Sequence, residues 1–165
     1  MVADARRWRA HREATDSQTG RDALWADIVQ ECASLVLLPS ARESFLDSPY
    51  RTPEHMAACL RAVNQVAKRW RSALEQNASM GEGLREAFKA LGYTYKPSIS
   101  DETRGKYGDQ YRWTWGDELL LFEDHITEAG GHDANRCFSL HFRFDKERRA
   151  VAVAHAGRHR QNTLS

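Results

Sequence analysis

A chain of 165 residues with 41% hydrophobic and 28% charged residues suits one ordinary globular domain and argues against wholesale disorder. Its net charge of +1 excludes a globally basic nucleic-acid-binding body, so any electrostatic footprint has to be local. The three scattered cysteines, Cys32, Cys59 and Cys137, lack CxxC spacing, which argues against a disulfide framework or a cysteine zinc site and for buried reduced thiols. No apolar run approaches the ~20 residues of a membrane span. The opening MVADARRWRAHREATDSQTG lacks the apolar stretch of a secretion signal, so a cytoplasmic protein with no membrane partner is expected.

In chain order, residues 1–20 read as a polar arm, frayed or mobile, ahead of a single domain over 21–165. Helical periodicity begins near Arg21, with Leu24, Ile28 and Leu35 on one stripe, and Pro39 ends it. Ser40 with Glu43 spells a capping box for a short helix around Phe45 and Leu46. Thr52 and Pro53 then open the clearest helix, whose stripe runs Met56, Leu60, Val63, Ala67, Trp70, Leu74. Ser79 with Glu82 starts another through Leu84, Phe88 and Leu91, closed by Gly92. Helices are thus expected over 21–92.

The stretch Tyr93 to Gly108, with Pro97, Ser98, Ser100 and Asp101, reads as a loop. From Gln110 the period becomes two. Tyr111, Trp113 and Trp115 share a face that reads as core, Gly116-Asp117 is a turn, and Glu118 to Thr127 is the returning strand. After Gly130-Gly131-His132-Asp133, Phe138, Leu140, Phe142 and Phe144 point one way, and Cys137, Ser139, His141 and Arg143 the other. A polar turn over 145–149 leads into a strand over 150–156, whose Ala150, Ala152 and Ala154 leave one face flat. The expected fold is α+β: N-terminal helices packed on one face of a C-terminal four-stranded antiparallel sheet over 110–157, with the other face polar.

Chemistry-bearing residues concentrate late in the chain. Five of the seven histidines fall in the last 41 residues, and residues 146–165 carry five Lys or Arg against one Glu. That local positive charge suits an anionic partner such as a nucleic-acid backbone. His155, Arg158, His159 and Arg160 form the tail, and Gly157 allows His159 and Arg160 to turn back over the sheet toward His125 or His141. Imidazoles beside Arg can supply a base for a 2′-hydroxyl, an acid for the leaving oxygen and cations for the phosphate, without metal. The catalytic candidates are His141, Arg143 and His159. The nucleic-acid-binding candidates are His125, His155, Arg158 and Arg160, together with Arg104, Lys106 and Tyr107 of the glycine-containing segment 101–109, where Tyr107 offers a stacking face. His155 and His159 stand four apart, but Ala156-Gly157 keeps them off one helical face. No GxSxG elbow, HExxH pair, Rossmann fingerprint or kinase set occurs, and neither a metal nor a cofactor is expected.

The segment Arg136-Cys-Phe-Ser-Leu-His-Phe-Arg-Phe-Asp, the Lys-Glu-Arg-Arg turn and Val-Ala-Val-Ala-His-Ala-Gly-Arg-His-Arg resemble the last hairpin of RelE/ParE-like bacterial toxins. They also resemble the end of an uncharacterised bacterial family finishing in a Gly-His-x-Gly-Arg-His-like run. The resemblance covers about 45 residues. It implies a toxin or defence nuclease acting on RNA, with His141, Arg143, His159 and Arg160 nearest the site and an antitoxin as protein partner. The helical first half is longer than such toxins carry, and His-Ala-Gly-Arg-His is not their order. The alternative is a non-catalytic module binding nucleic acid, a nucleotide or a partner protein.

Overall fold

The computed structural model describes residues 18–80, 83–128 and 133–160. Most of the expected N-terminal arm, Glu82 of the second capping box, and His132 lie outside the described residues. The domain is α+β. Its helices are α1 (Gln18–Glu31), α2 (Pro39–Asp47), α3 (Pro53–Glu75), α4 (Leu84–Ala90) and α5 (Asp101–Tyr107). Its strands are β1 (Leu35–Leu37), β2 (Tyr95–Lys96), β3 (Arg112–Trp115), β4 (Glu118–Leu121), β5 (Asp124–Glu128), β6 (Phe138–Asp145) and β7 (Ala150–Gly157). No helix among the described residues is long and apolar enough to cross a membrane.

The sheet differs from the expected four-stranded antiparallel meander. It is five-stranded and mixed, in the order β1-β7-β6-β5-β2, and β3 with β4 forms a separate two-stranded ribbon. Three local causes account for the difference. Leu35 follows Ile28 by seven residues, so it fits a helical stripe, yet α1 ends at Glu31 and Leu35–Leu37 pairs in parallel with Val151–Val153. The returning strand breaks at Phe122-Glu123, where the Phe122 amide donates to the Tyr111 carbonyl (2.9 Å) and the chain crosses from ribbon to sheet. The expected loop over 93–108 contains β2 and α5: the Ser100 hydroxyl accepts from the Thr103 amide (3.1 Å), and Asp101 and Glu102 occupy the positive helix start.

The main core lies between the sheet and α1–α4. Phe45, Met56, Leu60, Val63, Val66, Phe88, Ile126, Leu140, Phe142, Val151 and Val153 are all essentially inaccessible to solvent. Burial of these side chains is the dominant stabilising term, at about 1.5–3 kcal/mol for each of the larger ones. The second face is covered as well. Trp113, Trp115 and Leu120 of the ribbon pack on Phe122, Leu38, Ala152 and Ala154. The flat alanines are the floor on which an aromatic ribbon sits, so this face is only partly the open polar surface that strand alternation suggests.

Strand β7 explains much of the site. Its pairing with β6 slips between His141 and Phe142, so that Phe142 opposes Val153 while His141 opposes His155, leaving Ala154 as the extra residue of a bulge. Beyond Val153, where β1 has ended, α2 takes over the edge. Ser40 Oγ donates to the Ala154 carbonyl (2.6 Å), and the Ala156 amide donates to Ser44 Oγ (3.0 Å). The approach is so close that a Cβ on Gly157 would lie 2.4 Å from the Ser44 carbonyl oxygen. Glycine is required there by space.

Candidate functional site

Three histidines form a cross-strand row on the ribbon side of the sheet. His125 opposes His141 and His141 opposes His155, with ring centroids 5.4 and 5.8 Å apart. His141 is 2% exposed and His155 4%. Trp113 lies against both rings at 5.9 Å, and Tyr111 meets His141 edge-on at 5.0 Å. Burial pushes His141 well below the ordinary imidazole range, and its histidine neighbours push it the same way. Burial likewise takes His155 down to about 4, against the opposing pull of its bond to the Arg158 backbone. Both rings are neutral at physiological pH.

His155 Nε2 donates to the Arg158 carbonyl (2.7 Å), because a carbonyl can only accept. This bond folds the residues after Gly157 back over the sheet. Arg160 then lies over Trp113 at 5.3 Å and donates to the Gln110 carbonyl (2.7 Å), fastening the tail to the ribbon.

The turn brings His159 to a cavity of about 270 Å³, also lined by His125, His141, Lys96, Tyr111 and the hydroxyl residues Ser98, Ser100, Thr103 and Thr127. No carboxylate among the described residues lines it. Burial lowers the His125 and His159 pKa values, and the nearby Lys96 ammonium lowers both further. His125 Nδ1 donates to the Glu123 carbonyl (2.7 Å), which leaves Nε2 with a free lone pair. His141 Nδ1 is buried without a hydrogen-bond partner among the described residues, as is Ser139 Oγ one pleat away. A pocket whose described residues supply a lysine, two accessible imidazoles, four aliphatic hydroxyls and no acid can hold a compact anion and move protons beside it.

No family model, curated protein or solved structure matches the chain.

Of the catalytic candidates, His141 and His159 meet at the cavity, His141 as its buried floor. Arg143 does not line it. Its guanidinium donates to the Leu121 carbonyl (3.1 Å) and pairs with Asp145 (3.3 Å), which also receives the backbone and side chain of Arg148. Arg148 in turn pairs with Glu118 (2.8 Å) and lies over Trp115 at 4.8 Å. This network holds the far end of the ribbon. Among the binding candidates, His125 lines the cavity, His155 lies behind it, and Arg160 holds the ribbon while lining a separate cleft with Arg158 beside α2. Arg104 is taken up by Glu123 and Asp101, the latter at 2.6 Å, and Lys106 lies over its neighbour Tyr107. Neither lines the cavity. Sequence reasoning missed Lys96 and the hydroxyls of Ser98, Ser100 and Thr103, all within a stretch read as loop. The Ser100-Asp-Glu-Thr cap signature was the available signal.

Among the described residues no group of three or more His, Cys, Asp or Glu side chains is arranged to hold a metal ion. Cys32, Cys59 and Cys137 are buried and unpaired.

Proposed function

We propose that the chain is a nucleic-acid-directed effector that binds RNA at the Lys96–His125–His159 cavity and cleaves it by internal phosphodiester transfer. What carries the reading is two accessible imidazoles and an ammonium lining one acid-free cavity. His125 Nε2 takes the proton of a 2′-hydroxyl, and the 2′-oxygen forms a bond to phosphorus. The bond from phosphorus to the 5′-oxygen breaks, and that oxygen takes a proton from His159. The products are a 2′,3′-cyclic phosphate and a 5′-hydroxyl, and Lys96 offsets the charge gathered on the phosphoryl oxygens. The assignment of His159 as acid rests on its ring making no hydrogen bond among the described residues, which leaves it free to turn toward the leaving group. A bound phosphate is the natural source of the upward pKa shift that lets His159 carry a proton near neutrality.

The second reading is a module that holds a phosphate-bearing ligand without turnover. It is favoured by the lowered pKa values of both histidines, which disfavour the protonated imidazole that the leaving oxygen needs while the cavity is ligand-free. Incubation of single-stranded RNA with the protein in excess EDTA separates the two. The cleavage reading predicts cyclic-phosphate ends that are lost in His125→Ala and His159→Ala. RNA bound but intact selects the binding module, and RNA neither bound nor cut overturns both.

A further inference from the structure

The helix side of the sheet holds a second cavity, of about 280 Å³, lined by Tyr50, His55, Tyr93, Glu128 and Phe138, with Leu91 and Gly92 at its edge. Glu128 and Phe138 are register partners at the end of the β5–β6 pair. Glu128 shares strand parity with Ile126 of the main core, whereas His125 and Thr127 face the histidine cavity. The two cavities therefore open on opposite faces. Their charge is opposite too: among the described residues, this one is lined by a single carboxylate and by no lysine or arginine.

The Glu128 carboxylate makes no hydrogen bond or ion pair among the described residues. Its negative potential falls on the rings around it: after burial, Glu128 is the largest cause raising the Tyr50 pKa, and it also raises that of Tyr93. The rings are set by their neighbours. Tyr50 is 8% exposed, meets Phe138 edge-on at 4.8 Å and is hydrogen-bonded through its hydroxyl to His55 Nδ1 (3.1 Å). Gly92, at φ +88°, turns the chain out of α4 with nothing within 4 Å of where a Cβ would stand, so the mouth stays open.

We propose that this cavity binds a small organic cation through its ammonium head, with the aromatic rings as walls and Glu128 as counter-charge. Aromatic faces attract such heads electrostatically, and the attraction grows as the cation is desolvated. A hard metal ion is the poorer fit, since it needs six or more oxygen ligands (Ca²⁺) or near-octahedral geometry (Mg²⁺) and the cavity offers one carboxylate and two phenols. The carboxylate repels a phosphate. The volume is small against that of a drug-sized ligand site, which suits a choline-sized head.

The test is calorimetric titration of the full chain with choline chloride, and with 3,3-dimethylbutan-1-ol, which has the same shape without the charge. Choline is expected to bind saturably, the alcohol not to, and Glu128→Gln to weaken choline binding by roughly tenfold. Tyr93→Leu, which keeps the carboxylate, is expected to weaken it as well, and unchanged circular dichroism establishes that both variants fold. Equal binding of choline and the alcohol, unchanged affinity in Glu128→Gln, or no saturable choline binding by the wild type overturns the proposal. None of these outcomes touches RNA binding at the opposite face.

Discussion

Val153 and His155 stand two residues apart on β7 yet face opposite sides of the sheet, Val153 into the helix-covered core and His155 against Trp113. The bulge at Ala154 reverses the alternation, adding a third imidazole to the row and aiming Nε2 at the carbonyl that folds the tail back. Ser40 and Ser44 of α2 satisfy the Ala154 carbonyl and the Ala156 amide on the edge of β7 that β1 no longer covers.

Stability should accordingly be sensitive to this seam. Gly157→Ala forces a methyl onto the Ser44 carbonyl and is expected to cost about 1–3 kcal/mol in urea unfolding at constant m-value. Ser40→Ala leaves the Ala154 carbonyl without its donor and should cost about 1–2 kcal/mol.

Two buried titratable groups give opposing pH dependences. His155 is held at about 4 in the fold against an ordinary 6.5, so between those values the unfolded chain binds the extra proton. Stability is therefore intact above pH 6.5 and falls by about 3 kcal/mol as the pH drops through the window to 4. Asp124, which accepts from the Tyr95 hydroxyl, is raised by burial to about 6 from 3.8. There the native state binds the extra proton, so its contribution is present below pH 3.8 and is lost as the pH rises through 6. Thermal melts from pH 4 to 7.5 should show His155→Gln flattening the acid-side loss and Asp124→Asn removing the opposing slope.

At the cavity, Lys96→Ala should weaken RNA binding without altering thermal stability, because Lys96 is exposed on a two-residue edge strand. The slope of log K against log salt should fall by about one. Arg104→Ala and Lys106→Ala should leave that slope unchanged, since neither side chain lines the cavity.

The α+β class, the long α3 stripe and the paired β6–β7 hairpin were legible because each repeats its period over eight or more residues. The grouping of His159 with His125 and His141 was legible from Gly157 and the order of the tail. Lys96 was not, because a two-residue strand carries no periodicity. The role of Arg143 was hidden for another reason: alternation places it on the histidine face, but whether it meets substrate or Asp145 is decided by the turn at 145–149. The bulge at Ala154 leaves no mark in an alanine-rich strand, so nothing in the alternation of β7 shows that His155 joins His125 and His141 in one row.

The most direct measurement of the central claim is a titration of inorganic phosphate followed by the histidine ring resonances. The account predicts that His125 and His159 shift together with one saturation curve and rise in pKa, and that His155, behind Trp113, does not move. Saturation that leaves His125 and His159 unperturbed, or no binding in the wild type while Lys96→Ala behaves identically, would contradict it.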